Sequence, residues 1–198
     1  MISREQLAKW MDEVNPQAAG LIRTPETVIE ELAAPSLARG RIVKVSSRPP
    51  RRPVVFAIGI VDPDYRVMLG KNPAGYLELT ARSGVRLDTE PLRIAHVTTF
   101  LETTCDLLSG FQILRSFDDI RMMNKPKPEE RVRYDALRAK YGKTIRPPQA
   151  SEQDPWTVTL FAVRSRNLVA IRVRVQPDGR IHPEEKVIEE AIPVPYTK

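Results

Sequence analysis

The chain has 198 residues, of which 41% are apolar and 28% charged with both signs present, a mixture that supports a core and excludes wholesale disorder. A single cysteine, Cys105, excludes an internal disulfide and a cysteine-rich zinc site, and nothing implies an oxidising compartment. The formal charge of +6 at pH 7 directs attention to acidic partners.

The amino-terminal stretch carries charges from Arg4 onward and has no apolar signal core. The longest apolar run, PVVFAIGIV at 53–61, is too short to span a bilayer. A cytoplasmic protein without a membrane segment is therefore expected.

Ser3 and Gln6 have the spacing of a capping box, and Leu7, Trp10, Met11 and Val14 recur at helical spacing until Asn15 and Pro16, so a first helix is predicted over 4–14. TPETVIEEL repeats the pattern, with Thr24 as cap, Pro25 in the first turn and Glu26 near the positive end of the dipole, which predicts a second helix ending near Pro35. RIVKV, VVFAIGIV and RVMLG read as strands, the last two joined by a DPDY turn, and GYLELTA as a further strand.

The period then changes. Ile94, Val97, Leu101, Cys105 and Leu108 fall on one helical stripe, predicting one long helix over about 89–109 that covers the sheet. Pro128, Glu129 and Glu130 open another helix near 125–142, with Val132, Leu137 and Tyr141 inward and Gly142 at its stop.

In the tail, strict alternation returns. A turn through Arg166 and Asn167 makes paired positions sum to 333, which sets Arg172 across from Phe161 and Arg174 across from Thr159. One face of that hairpin is wholly apolar. The other mixes Arg172 and Arg174 with Phe161 and threonines, the half-wet character of an exposed antiparallel face. In RIHPEEKVIEE, the proline followed by two glutamates reads as an ordinary helix start.

The fold class expected is α+β: an antiparallel sheet packed against one long helix, with short N-terminal helices. One domain over 1–198 is expected, with 111–125 and 143–155 as the places where it would subdivide.

Charge is segregated along the chain. Residues 39–52, 125–146 and 164–180 carry net charges of +6, +5 and +4, which leaves −9 for the remainder. This is the footprint of a surface for nucleic acid or an acidic protein, drawn from Arg48, Arg51, Arg52, Lys125, Lys127, Arg131, Arg133, Arg172 and Arg174 with Phe161 as a stacking aromatic. The bland reading is a set of solvated faces, supported by the helical pairs Glu129 with Arg133 and Arg131 with Asp135.

Catalytic chemistry finds little support. Asp62 and Asp64 at a strand end resemble the aspartate motif of haloacid-dehalogenase-type phosphotransferases and make a candidate magnesium site, but Arg66 stands where that motif has a small hydroxyl residue. Pro63 between them favours a plain turn. His96 and Cys105 lie nine apart on one predicted helix, on opposite sides, and cannot form a thiolate–imidazole pair. His182 beside Glu184 and Glu185 is an acid–base candidate. Thr98, Thr99, Thr103 and Thr104 either line a pocket between helix and sheet or bond to carbonyls one turn earlier.

A non-enzymatic binding protein with no cofactor is therefore the first expectation. A self-associating module, paired with a second copy through the edge of its valine-rich strands as a homodimer, is the second. A small-molecule or metal-dependent enzyme with a helix–sheet pocket is the third.

Overall fold

The computed structural model describes residues 2–47, 53–61, 65–108, 110–152 and 155–195. Helix α1 (Arg4–Val14) begins where the Ser3 hydroxyl accepts the Gln6 amide at 3.1 Å and closes with the Asn15 amide on the Met11 carbonyl at 2.7 Å. Asn15 and Pro16 end α1 at Val14, as expected from sequence, but a further helix that was not expected follows directly. The Asn15 side chain accepts the Ala18 amide at 3.0 Å and so caps a second helix, α2 (Pro16–Arg23), in whose first turn the missing proline N–H costs nothing.

The helix expected from TPETVIEEL is a strand, β1 (Val28–Leu32). Thr24 terminates α2 instead of opening a helix: its amide donates to the Leu21 carbonyl at 3.1 Å. With the capping pattern used up there, Val28 and Ile29 pair across to a neighbouring strand, and tertiary pairing overrides local propensity.

Strands β1, β2 (Arg41–Ser47), β3 (Val54–Val61) and β4 (Tyr65–Met68) form the first antiparallel sheet in that order. GYLELTA, expected as a strand, lies within helix α3 (Pro73–Ser83). Asn72 accepts the Gly75 amide at 2.9 Å, Arg82 pairs with Glu78 one turn earlier at 2.8 Å, and the buried Tyr76, Leu79, Thr80 and Ser83 keep helical spacing.

Helix α4 (Glu90–Thr104) is shorter than expected, and its burial is not one stripe. Val97 and Leu101 are buried as expected, but so are Arg93, His96, Thr99, Phe100, Thr103 and Thr104, while Leu108 is exposed beyond the helix end. The cause is a second sheet. It holds β5 (Gln112–Leu114), β7 (Trp156–Arg164), β8 (Asn167–Val175) and β9 (Ile181–Glu189) in that order, with β6 (Gln149–Ala150) also paired to β7. Ile42 and Ala57 of the first sheet, Tyr76 and Leu79 of α3, Val97 and Phe100 of α4, and Leu160, Ile171 and Val173 of the second sheet share one core cluster. The single sheet covered by one helix is thus two antiparallel sheets with α3 and α4 between them.

Two smaller clusters close the outer faces. Helices α1 and α2 cover Val43, Val45, Phe56, Ile58 and Ile60 of the first sheet. Helix α5 (Pro128–Tyr141) and the C-terminal residues Ile192 and Val194 cover part of the second. On α5, Tyr134 and Leu137 point inward, whereas Val132, expected inward, is 71% exposed.

The β7–β8 hairpin turns through Ser165 and Arg166, with Ser165 at φ 57°, so its pairs sum to 331. Arg172 therefore faces Thr159 and Arg174 faces Thr157. A slip of two residues preserves the assignment of side chains to faces, so the apolar and half-wet faces are those read from the sequence. The segment read as a helix start at Pro183 is the edge strand β9. The turn before it closes through Gly179, at φ 85°, whose amide donates to the Gln176 carbonyl at 2.9 Å, and returns the chain antiparallel to β8.

Candidate functional site

The outward face of the second sheet is built in rows by its register. Leu114, Phe161, Ala170 and Lys186 form one row, Gln149, Thr159, Arg172 and Glu184 the next, and Thr157, Arg174 and His182 the last. The upper part is closed: Leu114, Val163 and Leu168 are buried against Phe117, Tyr134, Leu137 and Ile145, with Phe161 half-buried beside them. The lower rows are open.

Two adjoining depressions lie on the open rows and share Thr159 and Arg172. One, of about 430 Å³, runs from Arg146 and Pro147 across Phe161 and Ala170 to Lys186. The other, of about 610 Å³, runs from Gln149 and Ser151 to Arg174. Arg146, Arg172, Arg174 and Lys186 supply the cations of the two depressions, and Glu184 and Glu185 the carboxylates.

These charges are not equally engaged. Arg174 donates to Glu184 at 2.7 Å, and Glu185 pairs with Arg164 at 3.1 Å. Arg146, Arg172 and Lys186 have no carboxylate within ion-pairing distance among the described residues. A carboxylate arriving on this face would meet guanidinium groups that can grip it through two parallel hydrogen bonds. His182, the acid–base candidate, lies 3.3 Å from the Gln176 side chain, and its neighbour Glu184 is held by Arg174.

Of the surface expected from sequence, the fold brings Arg172, Arg174 and Phe161 together and adds Arg146 and Lys186. The basic face of α5 is turned to other work. Arg133 donates to the Glu190 carbonyl at 2.6 Å, and Lys140 lies 3.2 Å from the Glu189 carboxylate. The Lys140 hydrogen bond holds that carboxyl below its usual range. Arg138 pairs with Asp118 at 2.7 Å and covers the Phe117 and Tyr134 rings. Lys125, Lys127 and Arg131 are exposed around the start of α5. Arg48, Arg51 and Arg52, like the candidate metal ligands Asp62 and Asp64, lie outside the described residues. Among the described residues no group of three or more histidine, cysteine or carboxylate side chains is arranged to hold a metal ion.

The remaining chemical candidates are occupied. His96 is fully buried and its Nε2 is 2.9 Å from the Gly179 carbonyl; a carbonyl only accepts, so Nε2 carries the proton. Nδ1 is then the acceptor, facing the Ser36 and Tyr76 hydroxyls at 3.4 Å each. Burial lowers the His96 pKa and keeps the ring neutral. This cluster ties α3, α4, the segment before β2 and the β8–β9 turn to one another. Cys105 is half-buried, and burial pushes its thiol up, away from thiolate chemistry. Thr98, Thr103 and Thr104 donate to Ala95, Thr99 and Phe100 carbonyls at 3.2, 2.6 and 2.7 Å.

Searches against protein-family models, curated proteins and solved structures give no match to the chain. The side chains of the open face therefore carry the functional reading. No helix among the described residues is long and apolar enough to cross a membrane.

Proposed function

We propose that the protein is a non-enzymatic binding protein whose open basic face on the second sheet receives an acidic segment of a partner protein. The observation that carries this reading is the continuity of the groove: Arg146, Arg172 and Lys186, from three separate segments, line it unpaired, while the two carboxylates in its wall, Glu184 and Glu185, are held by Arg174 and Arg164. Apolar atoms of Pro147, Phe161 and Ala170 form the floor between them. A peptide with carboxylates and small apolar side chains complements such a surface.

Nucleic acid, the other partner considered, needs exposed rings on which bases stack. Phe161 packs against the cluster under α5, and Trp156 has the Arg93 guanidinium stacked 4.9 Å from its ring centroid. Pairing of two copies through β9 is disfavoured by Pro183, Glu184, Glu185 and Lys186, the residue types that blunt a sheet edge.

Fluorescence anisotropy with a labelled glutamate-rich peptide and a labelled oligodeoxythymidine of equal charge tests the proposal. The peptide is expected to bind, with affinity that falls as salt rises and drops about tenfold or more in an Arg146→Glu/Arg172→Glu double variant. Tighter binding of the oligonucleotide, or peptide binding untouched by the double variant, would overturn it.

A further inference from the structure

A second cavity lies away from the basic face, between the inward side of the first sheet and the end of α4. It has a volume of about 560 Å³ and apolar walls from Leu32, Val55, Ala57, Leu107 and Phe111. That volume falls in the range of small-molecule sites, roughly 300–1,000 Å³. Two charged side chains from different elements line it: Lys44 of β2, half-buried, and Glu102 of α4, exposed at its rim.

Neither charge has an ion-pair partner among the described residues. The Ser46 hydroxyl, on the same side of β2 as Lys44, also has no hydrogen-bond partner among them, whereas the Thr103 hydroxyl is taken by the Thr99 carbonyl. Crowding by its surroundings pushes the Glu102 carboxyl up, and the Lys44 and Arg115 charges offset this only in part. Lys44 and Glu102 influence one another without closing into a pair, and each retains its capacity for an opposite charge. Both charges stand at the mouth of an apolar cleft and neither is neutralised within it, so a ligand that supplies both opposite charges makes two charge-assisted contacts as its apolar part is buried.

We infer that this cleft binds a small zwitterion with an apolar side chain, of the α-amino acid class. Its carboxylate meets Lys44 and Ser46, its ammonium meets Glu102, and its side chain lies against Leu32, Val55, Leu107 and Phe111. A monocarboxylate would leave Glu102 unsatisfied, and a monoamine would leave Lys44 unsatisfied. The site is independent of the basic face, so either can fail without the other.

Calorimetric titration of the full chain with L-phenylalanine, 3-phenylpropionate and 2-phenylethylamine separates the three chemistries without any substitution. L-Phenylalanine is expected to bind about tenfold or more tightly than either fragment, the loss expected when one charged contact is removed. Lys44→Met and Glu102→Gln, near-isosteric and checked for an unchanged melting temperature, are each expected to lower L-phenylalanine affinity by a similar factor. Absence of heat with L-phenylalanine at millimolar concentration, equal binding of either fragment, or binding indifferent to both substitutions would overturn the inference.

Discussion

The Arg174 guanidinium lies 2.7 Å from the Glu184 carboxylate across the β8–β9 pair. Both side chains are more than half exposed, so the pair contributes little to stability, about 0–1 kcal/mol, but it lowers the charge that Arg174 presents to a ligand. Arg172, two residues earlier on the same face, lies across from Glu184 but forms no ion pair among the described residues. The arginine row is thus electrostatically uneven although its sequence alternates regularly.

This unevenness orders the effects of substitution. Arg172→Ala is expected to weaken the labelled acidic peptide by about fivefold, the scale of about 1 kcal/mol for an exposed charge contact, and Arg174→Ala by less. Glu184→Gln is expected to strengthen binding, because it releases Arg174 and removes a like charge from the ligand's path. Anisotropy titrations of the three variants at one salt concentration check the order; Arg174→Ala as the most damaging change would contradict it.

The buried His96 gives a pH signature in stability. Its folded pKa is lowered by burial, so the unfolded chain takes up a proton near pH 6.5 that the folded chain declines. The contribution is complete above the unfolded pKa and is lost as pH falls below it, by up to about 1.4 kcal/mol per pH unit until the folded pKa is reached. Urea unfolding of the wild type and His96→Gln between about pH 7.5 and 5.5 is expected to show a flatter dependence in the variant. Parallel curves would remove His96 as the cause.

How legible all this was in the sequence depends on whether local signals had competitors. The bounds of α1 and α5 and the alternation of β7 and β8 are legible because end signals or burial agree with propensity there, although Val132 of α5 faces out, and the face assignment holds despite the register because the slip is two residues. TPETVIEEL misled because Thr24 serves the preceding helix. PEE in β9 misled because an edge strand tolerates the proline and charges that open a helix. The cover over Phe161 and the counter-charge on Arg174 come from α5 and β9, remote in sequence, so no local pattern in β7 or β8 reports them. Arg146 and Lys186 join the groove from segments remote from β7, so no local pattern marks them either.

Gly59 shows why α3 sits so close to β3. A Cβ at this position would lie 2.6 Å from Cδ2 of the buried Leu79 and 3.2 Å from Cγ1 of Val67, which is half-buried against the same core. Gly59→Ala is expected to cost about 1–3 kcal/mol, as overpacking of a filled core does. Chemical denaturation measures this; a neutral effect would mean that α3 can shift outward without loss.

Gly179 joins the β8–β9 turn to the buried layer by two separate constraints. Its φ of 85° lies in the region that side chains avoid, and an added Cβ would stand 2.6 Å from Thr80 Cγ2. Its carbonyl also accepts the His96 Nε2 proton, so displacement of the turn breaks a buried hydrogen bond. Gly179→Ala is therefore expected to destabilise by about 2–4 kcal/mol, combining a strained backbone with a steric clash. The two parts can be separated. Thr80→Ser removes the clashing methyl and keeps the hydroxyl that donates to the Tyr76 carbonyl at 2.9 Å. In a double-mutant cycle, Thr80→Ser is expected to recover about 1 kcal/mol of the Gly179→Ala loss and leave the backbone part in place. Strict additivity of the two changes would show that the turn moves away from α3 and that strain alone sets the cost.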